Sequence, residues 1–232
     1  MMDSRLFKVI LYSIAAVFGF LGFIGNMLIF VGFQTQAKKT STQLLFQALA
    51  VADNLVIFTT VSATLGKSIY DYVITIDHDI DLRILQAYYH MLQISEMSIL
   101  GSILVTVLLA TTRVIAVYYP LRASRICSIA RIRLYLGFIV IYAIACNIPL
   151  HFINTIKTEA ISNTTYIIVD INRGVNLFDS INKIIMFTIA PLLIVTIASI
   201  LLIVKLRSLE KRRRDLTSHQ QKSNNATRLI SL

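Results

Sequence analysis

A chain of 232 residues that is 56% hydrophobic and only 15% charged, with a mean hydropathy of +0.72, is too apolar for an ordinary soluble domain, which holds about 45–50% apolar and about 25% charged residues. The net charge of +10 would suit nucleic acid, but its distribution along the chain ties it to a membrane instead. Two cysteines and four scattered histidines (His78, His90, His151, His219) exclude a disulfide scaffold and show no cluster at metal-ligand spacing.

The apolar excess falls in five blocks. Each is long enough to cross a hydrocarbon core ~30 Å thick at ~1.5 Å per residue. Spanning backbone must satisfy its own hydrogen bonds, so the blocks are expected to be helices and the chain an all-α membrane protein. The first covers about 9–33 and carries no charge. A signal-peptide core has about 7–15 apolar residues, and no small-residue cleavage site follows, so a retained helix is expected. The second covers about 44–66 and contains Asp53. The third covers about 84–117 and contains Glu96 and Arg113. The fourth covers about 134–156, and the fifth about 182–204 with Pro191 inside it.

Lys and Arg in the connections set the orientation. With the N-terminus outside, the inner parts hold 14 basic residues: Lys38, Lys39, Arg122, Arg125, Arg131, Arg133, Lys205, Arg207, Lys211, Arg212, Arg213, Arg214, Lys222 and Arg228. The outer parts hold 7: Arg5, Lys8, Lys67, Arg83, Lys157, Arg173 and Lys183. The expected topology is N-terminus outside, C-terminus cytoplasmic. Cys127 then lies in a cytoplasmic loop and Cys146 within a helix, so neither forms an extracellular disulfide.

In the outer connection between blocks four and five, Thr164–Val169 is rich in β-formers and Asn172-Arg173-Gly174 is a turn signal, which suggests a short hairpin. Asn163-Thr164-Thr165 is a glycosylation sequon on the outer side, making Asn163 an acceptor unless its closeness to the membrane leaves it unused. The transmembrane domain is expected over 1–207. A basic polar cytoplasmic tail covers 208–232, either disordered or a fraying helix extension.

Charge at mid-membrane costs ~2.5–3.5 kcal/mol even on mild insertion scales, so ionisable residues within spans are functional candidates. Three stand out: Asp53, Glu96 and Arg113. Asp53 lies ~13 Å above the inner face, Ser102 ~16 Å above Arg113, and Asn26 ~10 Å above Phe33. A carboxylate, a hydroxyl and an amide from three helices thus reach similar depth, a set suited to a small hard cation or a water cluster. Ser95, Ser98, Ser102, Thr106 and Arg113 share one side of the third helix, within an arc of about 80° at 100° per residue. Such a stripe serves either packing or function. Arg113 likewise has two readings, a boundary arginine reaching water or a polar lock inside the bundle.

The chain resembles rhodopsin-like G-protein-coupled receptors, and within them the FMRFamide-type neuropeptide receptors of invertebrates. Gly25-Asn26 is similar to the family's Gly-Asn pair in helix 1, and Leu49-Ala50-Val51-Ala52-Asp53 to its Leu-Ala-x-x-Asp in helix 2. Thr112-Arg113-Val114 stands where the family has Asp/Glu-Arg-Tyr, and Val117-Tyr118-Tyr119-Pro120-Leu121 matches the loop that follows. Arg122-Ala123-Ser124-Arg125-Ile126-Cys127 and Asn147-Ile148-Pro149 resemble runs of the FMRFamide branch, and Pro191 the proline of helix 5.

The resemblance implies a sodium/water network at Asp53, Ser102 and Asn26, with no other cofactor and no metal beyond sodium. It implies a G-protein switch at Arg113, Thr112, Tyr119, Pro120 and Leu121. Ile103 and Pro191 would form the core connector, and Ser95, Glu96 and Ile99 would approach the ligand cavity. The expected partners are an extracellular peptide or small-molecule ligand, a heterotrimeric G protein and the lipid bilayer of the plasma membrane.

The chain also departs from the pattern. Thr112 replaces the acid that pairs with the arginine, so a weaker neutral hydrogen bond is expected there. The helix 3 cysteine falls at Tyr88, the helix 4 tryptophan near Ile139, and the helix 5 tyrosine near Ser199. Helices 6 and 7 have no counterpart, and the chain is expected to be a fragment or truncated form. A chemosensory serpentine receptor is the near alternative. A small ion transporter or channel subunit, with Asp53 and Glu96 as ion ligands, is the alternative of another class. No nucleophile–base pair suggests an enzyme.

Overall fold

The structure, a computed structural model, describes residues 4–36, 40–74, 82–153, 155–161, 164–170, 180–181 and 183–230. Five helices among these are long and apolar enough to cross a membrane, at Ser13–Gln34, Ser41–Gly66, His90–Tyr118, Ile129–Asn147 and Ile184–Arg214.

The helix ends follow local chemistry. Helix α1 covers Ser4–Gln34. Helix α2, Ser41–Ile74, opens on a capping box. The backbone N–H of Gln43 donates to Thr40 Oγ1 at 3.3 Å, and the N–H of Thr40 donates to Gln43 Oε1 at 2.8 Å. Helix α3, Leu82–Tyr118, stops because the residue before a proline is pushed out of the α region. Tyr119 accordingly takes φ −130° and ψ 64°. Pro120 then starts the short helix α4, Pro120–Ile126, in the first-turn place where its missing N–H costs nothing. Helix α5 covers Ile129–Ile153.

The outer connection holds a hairpin. Strand β1, Thr155–Ile161, pairs antiparallel with β2, Thr164–Asp170, in the register Thr155↔Asp170 to Ile161↔Thr164. The β-rich run therefore pairs with the segment before it, and the Asn172-Arg173-Gly174 turn signal lies outside the described residues. A π-helical turn at Ile184–Ile189 follows. The N–H of Ala190 reaches back five residues to the carbonyl of Ile185, and Pro191 beside it has no N–H to offer the preceding turn. Helix α6, Ala190–Ile230, continues without a break through the basic run at 211–214.

Helix α3 is the centre of the bundle and packs against α2, α4, α5 and α6. Helix α1 leans on α2, where the missing side chains of Gly19 and Gly22 make room for Ile57. A Cβ on Gly22 would come within 3.2 Å of Ile57 Cδ1. Among the described residues, four of the eight buried apolar ones are alanines (Ala50, Ala63, Ala143, Ala198), joined by Leu45, Leu100, Val105 and Ile132. Close approach through small residues is how helices associate where lipid removes the hydrophobic drive. The outward sides of α1, α5 and α6 carry exposed Phe, Leu, Ile and Val, as a lipid-facing surface requires.

Candidate functional site between the second and third helices

On α2, Phe46, Asp53 and Thr60 lie seven residues apart, two turns each, and so share one face. Each meets the polar stripe of α3. Ser102 donates a hydrogen bond to Asp53 Oδ1. Two turns farther out, Thr60 Oγ1 and Ser95 Oγ are 2.9 Å apart. At the inner end the Arg113 guanidinium sits over the Phe46 ring, 5.6 Å from its centroid. Antiparallel helices in register thus make three rungs, a hydroxyl pair, a hydroxyl–carboxylate pair and a cation–π pair.

The remaining stripe residues turn inward on their own helix. Ser98 donates to the Ile94 carbonyl at 2.7 Å, and Thr106 to that of Ser102 at 3.0 Å. Packing and cross-helix contact therefore divide the stripe between them. Asn26 is not joined: among the described residues no direct hydrogen bond links it to Asp53 or Ser102. The buried Asn54 Oδ1, next along α2 from Asp53, has no hydrogen-bond partner.

Ile103 and Pro191 line the same cavity of about 360 Å³ between α3 and α6, together with Ser102, Thr106 and Phe187. The π turn widens α6 at this place. Ser95, Glu96 and Ile99 line neither this cavity nor a larger one of about 550 Å³ on the other side of α3. Ser95 is buried in the α2 contact. Glu96 meets Lys183, with Oε2 and Nζ 2.8 Å apart and both side chains about a third exposed (38% and 31%). That pair ties the outer part of α3 to the segment leading into α6.

At the inner end Thr112 does not replace the missing acid. Its hydroxyl donates to the Leu109 carbonyl at 2.8 Å, and Arg113 is held by Phe46, whose ring stacks on Phe33 at 5.8 Å. The expected neutral hydrogen bond to Arg113 is thus replaced by an aromatic contact, because a threonine on a helix reaches its own preceding turn more easily than its neighbour's side chain. Tyr118 bridges α3 to α6. Its hydroxyl donates to the Leu201 carbonyl at 3.1 Å, and Lys205 Nζ lies 5.3 Å from its ring centroid. Beyond it, Tyr119 and Pro120 are exposed and Leu121 is 92% exposed, projecting from the start of α4. Cys127, free at the end of α4, has its thiol pKa pushed up by burial. Asn163 lies outside the described residues.

Phe46, Thr60, Phe33, Lys183 and Leu201 were not singled out in the sequence. For Phe46 and Thr60 the signal was present, since both lie two turns from Asp53. Lys183 and the Leu201 carbonyl carry no such signal, because they reach α3 from a distant part of the chain.

Five candidate spans among the described residues, bundled with a polar seam beside the central helix, are the architecture of a polytopic membrane protein. The family profile "7 transmembrane receptor (rhodopsin family)" matches residues 25–232. The chain belongs to that family, and is a multi-pass membrane protein of the receptor class. No protein with curated annotation matches the sequence significantly.

Proposed function

We propose that the chain supplies the ligand-facing and G-protein-facing part of a receptor for an extracellular neuropeptide of the FMRFamide type. In this reading a ligand at the outer end shifts the helix bundle between two arrangements, and the inner end presents the result to a heterotrimeric G protein at the plasma membrane. The observation that carries it is the Ser102–Asp53 hydrogen bond across α2 and α3, within a chain of the rhodopsin family.

The inner end supports the G-protein side. Leu121 offers an almost fully exposed apolar side chain on a short basic helix, a form suited to an apolar pocket on a partner. Arg113 is held by an aromatic ring rather than a carboxylate. A cation–π contact at an exposed site contributes about 0.5–1 kcal/mol, so the arginine is restrained yet easily released. The Ile103–Pro191 cavity beside the π turn gives α6 room to move against α3.

The Asp53 and Ser102 oxygens fit a hard monovalent cation by donor type. These two side chains would hold it, and its charge would offset the Asp53 carboxylate within the bundle. The test is binding of a labelled FMRFamide-type peptide agonist to membranes from cells expressing this receptor chain. Sodium is expected to weaken agonist binding, and Asp53→Asn to remove that sensitivity. Unchanged sensitivity in Asp53→Asn would overturn the site assignment, and absence of any peptide binding the ligand assignment.

A further inference from the structure

The larger cavity, about 550 Å³, is a groove between α2, α3 and α5 on the side of α3 away from α6. Small residues create it: Ala48, Ala52, Gly101 and Ala143 leave space that longer side chains would fill. Its lining holds just two polar side chains, Gln47 and Ser98. Both turn away to backbone carbonyls, Gln47 Nε2 to Phe30 at 3.5 Å and Ser98 Oγ to Ile94 at 2.7 Å. The polar donors of the groove are therefore already committed to the protein's own backbone, and an apolar chain matches it best.

Depth and charge say which apolar chain. The α2 side of the groove runs from Leu44 to Leu55, 11 residues or about 16 Å, close to half of a ~30 Å hydrocarbon core. It begins at the basic end, where Leu44 and Leu136 are the first lining residues of α2 and α5. It is open to the bilayer, since Val51 and Val140 line it and are 53% and 57% exposed. Arg133 lies seven residues before Val140, two turns down the same face of α5. It is exposed and makes no ion pair among the described residues.

We propose that this groove holds one acyl chain of an anionic phospholipid from the cytoplasmic leaflet, with the lipid phosphate on Arg133. The chain fills the slot beside Gly101 and Ala143, and the headgroup stays at the interface where the guanidinium can reach it. The site is on the opposite side of α3 from the Pro191 cavity and does not depend on which ligand the receptor binds.

The experiment is native mass spectrometry of the full chain released from nanodiscs of equal phosphatidylserine and phosphatidylcholine, with and without cholesterol. The wild-type chain is expected to retain one lipid and to prefer phosphatidylserine. Arg133→Gln should lower that preference about fivefold, the value of one basic residue near an anionic surface, while a lipid is still retained. Val140→Trp, a change at an exposed rim residue, should abolish retention. Should that variant fail to enter nanodiscs, Arg133→Gln decides alone, being a solvent-side change. No retained lipid on the wild type, an unchanged preference in Arg133→Gln, or displacement of the phospholipid by cholesterol would each overturn the proposal.

Discussion

The middle and the inner end of the α2–α3 seam are built on different physics. In the middle, side-chain hydroxyls meet a hydroxyl and a carboxylate across the two helices, at Thr60–Ser95 and Asp53–Ser102. Ser95 of the first pair is buried, and so are Thr59 and Ser98. At the inner end Arg113 rests on Phe46, and Tyr118 reaches a backbone carbonyl of α6, with Arg113 exposed to solvent. A carboxylate inside lipid has few other partners, so its contact is strong and directional. An exposed guanidinium over a ring has water as a ready alternative. The difference teaches that one register of two helices can be anchored at its centre and left adjustable at its end.

The largest test of that contrast is Ser102→Ala. It leaves the Asp53 carboxylate without its hydroxyl donor, and hydrogen bonds to charged groups are worth about 1.5–3 kcal/mol. A clear fall in the thermal unfolding midpoint of the detergent-solubilised protein is expected. An unchanged midpoint would mean that the centre is no better anchored than the end. The inner end is tested by a double-mutant cycle of Arg113→Gln and Phe46→Leu. A coupling of about 0.5–1 kcal/mol is expected, and additive effects would show that the ring does not hold the arginine.

Smaller effects sharpen the picture. Glu96→Gln removes a partly exposed ion pair to Lys183, worth about 0–1 kcal/mol. Its effect on stability should shrink further as salt is raised, and a salt-independent effect would point to a contact other than charge. The smallest concerns Cys127. Burial raises its thiol pKa, so less thiolate exists at a given pH than in the unfolded chain. Alkylation near pH 8.5 should be slower in the folded protein than in denaturant, with the two rates converging as pH rises through the raised pKa. Equal rates throughout would remove the burial argument.

Much of the fold could be read from the residues because the bilayer is so restrictive a solvent. Long, predominantly apolar runs must satisfy their backbone internally there and so form helices. Asp53 and Ser102 were assignable to matched depth from a fixed rise per residue, and the structure joins them. Asn26 had the same depth but lies on a helix whose rotation no spacing rule fixes, and it makes no bond to either. Glu96 was expected to approach the ligand cavity; its ion pair with Lys183 was not legible because that partner lies 87 residues away, across the hairpin.

By itself, then, the sequence determined five apolar spans, their order along the chain, the basic end, the polar stripe of α3 and the proline that stops it. These are consequences of local chemistry and of the membrane. Only the tertiary structure decided which stripe residues cross to α2 and which return to their own backbone. It also decided that Phe46 takes the place of an acid beside Arg113, and that small residues on three helices leave an apolar groove. Rotation and register between helices depend on packing over the whole length of each pair, which no single segment contains.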